Sequence, residues 1–401
     1  MKTDLGGVNV PALRSHNAAL VLDLLRTAGE PGISRLELAE RTGLTPQAVS
    51  KITARLRAEG LVAEAGHRAS TGGKPRTVLR LVASAGYAVG VHLDRDELTT
   101  LLTDLAGAVV SRRRRALDLG EGAGPVLEAV TGEVRGLLAG VPGGAGVSDA
   151  FGVPDVPDVP DVPGAFGARP VLGVGVAMPG PLDHRAGVPG RVTGFPEWDG
   201  VPVREELARR LGLPVVLDKD TNAAALGLAL RPAAPGSFAY VHLGTGLGAG
   251  LVLGGAVMRG DRTGAGEMGH QTVQLDGPPC DCGGRGCLEV LCLAAVGRGD
   301  LAEAARILGA GAANLVRLLD IDQVLLGGRV VLAAPGVFAD GVREVLAGLG
   351  LTAPVGVAAE VGEDAVAERG AGGDGDVDRE AGADAVAEGA AWLILAPIFG
   401  K

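Results

Sequence analysis

The sequence predicts an α/β protein carrying a small winged helix-turn-helix head, and three observations carry that prediction. Two short capped helices joined by "TGLT" (42–45) are followed by an extended stretch, "LVAEAGHRASTGGKPRTVLRL" (61–81), which is the element order of a winged helix. From about residue 83, apolar extended runs such as "YAVGVHL", "VLGVGVAMPG", "FAYVHLGTGLGAGLVLGG" and "DQVLLGG" alternate with helical stretches and Gly-rich turns, as in sheets covered by helices. The charge is also divided: residues 1–80 hold 12 Lys and Arg against 7 Asp and Glu, although the whole chain of 401 residues carries −10. A basic head on an acidic body would grip a polyanion with the head alone. A chain of this length exceeds one ordinary compact domain, so two or three folding units are expected.

Within the head, "SHNAALVLDLLRTA" (15–28) has apolar residues at helical spacing after a capping Ser. The second helix, "SRLELAERTG", starts at Ser34 with Glu37 at the reciprocal capping-box position and stops at Gly43. The third, "LTPQAVSKITARLRAEG", has Thr45 as N-cap, Pro46 at the first helical position and Gly60 at its close. Its apolar Val49, Ile52 and Leu56 share one face, which turns Gln47, Ser50, Lys51 and Arg55 outward. With Thr45, these residue types suit base edges and phosphates in a major groove, and Lys74 and Arg76 on a wing with its tip between Gly72 and Pro75 would meet phosphates or a minor groove. The alternative is a solvated helix face or a protein-contact winged helix. The basic excess of this segment favours DNA.

Two stretches interrupt the body. Residues 139–168 contain "VPDVPDVPDVPG", whose prolines exclude a helix or a central strand, and residues 364–383 are acidic and Gly-rich. Both read as exposed insertions. No apolar run is long enough for a membrane span and no signal sequence is evident, so a cytoplasmic location without membrane attachment is expected. In that reducing setting, clustered cysteines point to metal or redox chemistry.

The cluster lies in "GEMGHQTVQLDGPPCDCGGRGCLEV" (266–290): His270, then Cys280, Cys282 and Cys287. One imidazole and three potential thiolates suit tetrahedral Zn2+ with no position left for water, hence a structural site. A redox dithiol or unrelated core cysteines are the other readings. Cys292, in the apolar run "VLCLAAV", reads as buried packing.

These residues resemble the signature of the ROK group (repressors, open reading frames and sugar kinases). "CDCGGRGCLE" matches its cysteine motif and "GEMGH" the Glu-x-Gly-His before it. The resemblance runs from about residue 15 to the C-terminus, because a winged helix ahead of a ROK body is the layout of the branch that represses xylose, glucose or N-acetylglucosamine genes. It implies an actin-like (ribonuclease-H-like) sugar-kinase fold of two α/β lobes around a cleft. The implied units are 1–82, 83–217 with the Pro-rich insertion 139–168, and 218–401, with the C-terminal segment returning to the first lobe.

The resemblance also implies roles. Asp220 of "DKDTNAAALG" stands where family kinases keep the base that takes a proton from the sugar hydroxyl. Glu267 and Glu289 match acceptors of sugar hydroxyls, and His270 matches a residue touching sugar through one ring nitrogen and zinc through the other. Lys219 replaces the Asn usual before the catalytic Asp, and would either donate to sugar or pair with Asp220 and lower its pKa. Of the family's two phosphate turns, Gly244, Thr245 and Gly246 keep the second. The first, Asp-x-Gly-Gly-Thr, is replaced by His92, Asp94, Arg95 and Asp96, whose carboxylates would repel a triphosphate. Arg329 follows Gly327 and Gly328 where a third Gly is common, and only a short helical segment joins "GCLEVLCLAAV" to "LLDIDQVLLGG".

The leading expectation is therefore a non-enzymatic transcription regulator, a repressor of carbohydrate genes. It would bind operator DNA as a homodimer or homotetramer, hold structural Zn2+, and respond to a sugar or sugar phosphate that changes the spacing of its heads. An ATP-dependent sugar kinase with a fused head is the alternative. A third reading is a regulator that binds no sugar and answers to a protein partner.

Overall fold

The structure, a computed structural model, describes residues 10–68, 76–140, 145–147, 169–232, 234–358 and 384–401. The wing tip with Lys74, nearly all of the Pro-rich insertion and the acidic 364–383 stretch lie outside these residues.

The head contains α1 (Val10–Ala28), α2 (Arg35–Thr42) and α3 (Pro46–Ala58), with β1 (Ile33–Ser34), β2 (Val62–Arg68) and β3 (Arg76–Leu81) in a sheet ordered β1-β3-β2. Its local signals are realised as expected. Ser34 and Glu37 form the reciprocal capping box, Gly43 ends α2 in the left-handed region, and Thr45 accepts from the Ala48 N–H at 3.2 Å. Helix α1 begins five residues earlier than the pattern suggested.

The first lobe holds β4 (Tyr87–Leu93), β5 (Glu97–Asp104), β6 (Val109–Ala116), α4 (Ala123–Ala139), β7 (Ala145–Val147), β8 (Arg169–Met178), β9 (Leu182–Asp183), β10 (Val188–Pro189), α5 (Val203–Leu211) and β11 (Val215–Lys219). Its sheet runs β11-β8-β4-β5-β6. Strand β11 crosses the boundary expected at 217, so the lobe changes two residues later.

Helix α6 (Asp220–Ala229) leads into the second lobe: β12 (Phe238–Leu243), β13 (Leu247–Leu253), β14 (Ala256–Val257), α7 (Leu288–Gly297), α8 (Leu301–Leu319), β15 (Gln323–Gly327), α9 (Arg329–Ala333), α10 (Pro335–Gly348) and β16 (Val355–Val357), with sheet order β14-β13-β12-β15-β16. The two sheets repeat one plan, an antiparallel three-strand meander followed by two parallel strands. The segment expected to be short between the cysteine motif and β15 is in fact the 19-residue α8, buried on α7 and α10.

Helix α11 (Ala385–Leu395) returns to pack on β4, β8 and α6. The α6–α11 contact is made of small residues, and it needs them: a Cβ on Gly389 would fall 1.9 Å from the Ala223 carbonyl oxygen. The head is not tethered loosely, because Val21, Leu25 and Leu79 share one apolar cluster with Leu101, Leu172, Leu230, Trp392 and Phe399 of the body.

Candidate sugar pocket and metal centre

The two meanders set their first turns opposite one another across the cleft, and the remaining site residues come from the ends of elements around it. Strand β11 ends in Lys219, α6 begins at Asp220, and α7 presents Glu289 from its first turn. Glu267 and His270 flank a short 3-10 turn. All five expected sugar residues line one cavity, together with Thr193, Gly180 and His242.

Asp220 is half-buried and accepts from the Thr221 N–H at 2.6 Å; desolvation pushes its carboxyl up to about 7, Lys219 opposes this, and the nearby Asp94 and Glu267 add to it. The suggested pairing of Lys219 with Asp220 is corrected. The Lys219 Nζ donates instead to the Ala265 carbonyl at 2.6 Å and to Glu267 Oε1 at 3.0 Å, because its side chain extends across the pocket floor to the loop before the 3-10 turn. Asp220 therefore keeps a high pKa and not the lowered one that pairing would give. Glu289 accepts from the Leu247 N–H at 2.7 Å. Asp218, which the sequence did not single out, anchors this corner: buried, it accepts from Arg259 at 2.6 Å, from Asn222 at 3.0 Å and from the Lys219 N–H at 2.8 Å.

Behind the pocket, one ligand atom from each of His270, Cys280, Cys282 and Cys287 lies within 4.8 Å of the others. His270 Nδ1 is 3.7 Å from Cys280 Sγ, and Cys282 Sγ is 3.7 Å from Cys287 Sγ. A tetrahedron with Zn–S of ~2.3 Å and Zn–N of ~2.0 Å has edges of roughly 3.5–3.8 Å, so these two pairs are spaced to within about 0.2 Å for that ion. Tight turns shape it: Gly286 has φ +58, and a Cβ there would meet the Gln274 carbonyl oxygen at 1.7 Å. The Gly284 N–H donates to Cys282 Sγ at 3.4 Å. Burial pushes the Cys287 thiol up to about 12, so a bound cation is what would hold it as thiolate. With Nδ1 turned to the cysteines, the other edge of the ring is left for the cavity that His270 lines. Cys292 is buried, its thiol 3.6 Å from the Ala304 carbonyl.

The other end of the cleft differs. Thr245 Oγ1 donates to Asp94 Oδ1 at 2.7 Å, and Arg95 reaches the Thr245 carbonyl at 3.4 Å. Arg329 spans to Asp96 at 2.7 Å and lies 3.7 Å from Asp94. The carboxylates expected to stand against a triphosphate are thus already paired. Below them, the half-buried His92 and His242 meet edge-on with ring centroids 6.5 Å apart, and desolvation pushes His242 down to about 4, so that ring is neutral.

On the head, Gln47, Ser50, Lys51 and Arg55 are exposed while Val49 and Leu56 are buried; Thr45 is exposed but engaged as a cap, and Arg76 is exposed at the start of β3. Arg55 lies 3.4 Å from Glu59. Sequence reasoning missed Arg26 of α1. It donates to the Leu230 carbonyl at 3.2 Å, pairs with Asp23 at 2.7 Å, and sits over the rings of Trp392 and Phe399 at 5.0 and 5.3 Å.

The class that fold and site define is a two-lobed, sugar-kinase-like domain fused to a winged helix. Residues 164–299 match the ROK family and residues 21–63 a winged helix-turn-helix DNA-binding family. The stretch similar to the ROK family thus lies behind the stretch similar to a winged helix-turn-helix. The chain is 30% identical over 259 residues to a putative xylose repressor of Caldicellulosiruptor sp., covering 64% of this chain and 59% of that protein. It is 28% identical over 289 residues to the DNA-binding transcriptional dual regulator NagC of Escherichia coli, covering 71% and 64%. The chain thus spans about three fifths of the length of these curated relatives. A ROK family transcriptional regulator, described as a homologue of the E. coli MLC protein, shares the fold over 97% of this chain and 100% of its own, with a TM-score of 0.66 at 20% identity. Among the described residues, no helix is long and apolar enough to cross a membrane.

Proposed function

We propose that this protein is a transcriptional repressor of carbohydrate genes whose operator binding is modulated by a sugar held in the kinase-like cleft. Similarity to sugar-named repressors and a DNA-binding head supports the class. One structural observation carries the coupling: α6 begins at Asp220 in the pocket and is capped at its far end by Leu230, whose carbonyl accepts from Arg26 of the head. A shift of that helix on sugar binding would reach the head through a packed, hydrogen-bonded joint. A ligand that favours one lobe arrangement then changes DNA affinity by its differential binding to the two states.

In this reading Asp220, Glu267 and Glu289 accept hydrogen bonds from sugar hydroxyls, Lys219 holds Glu267 in place, and His270 serves sugar and metal together. His270, Cys280, Cys282 and Cys287 would hold Zn2+, which would fix the ring's orientation and tautomer. Gln47, Ser50, Lys51 and Arg55 would face the major groove, with Thr45 capping the recognition helix and Lys74 and Arg76 on phosphates. Two heads in a homodimer or tetramer would read paired half-sites.

The alternative, an ATP-dependent sugar kinase, is disfavoured by the phosphate end of the cleft, where Asp94, Asp96 and Arg329 occupy one another. The test is a binding titration on DNA from the gene's own upstream region, at fixed salt, with xylose, glucose, N-acetylglucosamine and their 6-phosphates where these exist. A shift in affinity by one of these is expected. Tight binding that none of them moves would overturn sugar control, and no specific DNA binding would overturn the repressor assignment.

A further inference from the structure

The sugar pocket does not end at His270. A groove of about 570 Å3 opens beside it and shares Thr193, Glu267 and His270 with it. That volume falls within the range of about 300–1,000 Å3 that holds a ligand larger than one small ring. One wall is the first-lobe segment from Arg191 to Pro196, the other the cysteine loop at Asp281, Cys282 and Gly283.

Two lining groups are uncommitted. Arg191 and Asp281, on opposite walls, are exposed and make no side-chain hydrogen bond or ion pair among the described residues. One offers a fork of donors and the other two acceptor oxygens, the pairing that hydroxyl groups take. Pro181 and Pro196 add apolar surface for the C–H face of a ring. The charge does not favour an anionic group: the Arg191 guanidinium faces the Asp281 carboxylate and Glu267 is already held by Lys219, so the groove has no excess positive charge for a phosphate.

We infer that the effector is a neutral glycoside of two or more rings, with one ring in the inner pocket and the next in this groove against the cysteine loop. This rests on the sugar-pocket reading above and names its ligand class. It also places the second ring on the loop that carries the metal ligands, so chain length and metal-loop order are linked.

The experiment is calorimetric titration of the full-length, zinc-loaded protein with xylose, glucose and N-acetylglucosamine, with the β-1,4-linked disaccharide of each, and with glucose 6-phosphate. One disaccharide should bind at least tenfold more tightly than its own monosaccharide. Arg191→Ala and Asp281→Asn should each remove most of that gain while leaving the monosaccharide within about twofold, with zinc content checked for the second variant. A monosaccharide or the phosphate binding as tightly as every disaccharide would overturn the inference and leave the sugar pocket standing. Binding by none of the probes would overturn both.

Discussion

The two ends of the cleft are finished in opposite ways. At the sugar end, Asp220, Glu267, Glu289 and His270 converge on open space, and the groups that hold them, Thr221, Lys219, Leu247 and the cysteines, leave polar capacity facing the cavity. At the phosphate end, Asp94, Arg95, Asp96, Thr245 and Arg329 satisfy each other across the lobes. Polar groups facing open space can take up a ligand's hydroxyls, whereas groups already paired with one another have less to offer one. On the proposed reading, a cleft can keep the binding half of a kinase site while its transfer half becomes a latch.

The largest effect that would sharpen this contrast comes from the metal. Cys287→Ser should abolish stoichiometric zinc and lower Tm by about 5 °C or more, since it breaks a closed ligand set beside the pocket. Metal analysis and scanning calorimetry check it. Asp220→Asn should weaken sugar binding by about 10- to 100-fold, the loss expected for a charge-assisted hydrogen bond.

A pH titration probes the same group. With its carboxyl pushed up to about 7 by burial, Asp220 is partly protonated at neutral pH, and the neutral acid accepts hydroxyl donors less well. Sugar affinity should therefore fall by about tenfold per pH unit below about pH 7, and Asp220→Asn should flatten that dependence. Its effect on stability has the opposite sense. The folded value lies above the ordinary one near 3.8, so this contribution is complete below that value and is lost as pH rises through about 7.

Arg26→Ala should leave sugar affinity within about threefold but reduce the sugar-induced change in DNA affinity by about fivefold or more, a coupling of ~1 kcal/mol. Equal coupling in the variant would break the proposed joint. The smallest effect belongs to the latch. Arg329 is half exposed, so Arg329→Ala should change stability by less than ~1 kcal/mol, and no ATP consumption should appear.

What the sequence made legible was what short range decides. The capping box at Ser34 and Glu37, the Thr45–Pro46 helix start and the spacing from His270 to Cys287 all depend on residues within a few turns of one another. The alternation of strands and helices sufficed for the α/β class. The Arg329–Asp96 pair joins residues 233 positions apart, and Arg26–Leu230 joins residues 204 apart; nothing local marks either partner. Lys219 shows the limit most sharply. Its neighbour in sequence was the obvious partner, but at a strand-to-helix junction the two side chains point to different walls, and the carboxylate 48 residues on was nearer. The groove beyond His270 was equally hidden, since its walls come from separate lobes.

The most direct test of an open sugar end and a closed phosphate end is equilibrium binding of each ligand to the same zinc-loaded protein: the panel of sugars, then ATP with Mg2+, in the presence and absence of a bound sugar. The account predicts saturable sugar binding, no ATP binding into the millimolar range and no phosphorylated product. Tight ATP binding that strengthens with sugar, followed by phosphoryl transfer, would contradict it and make the protein a kinase.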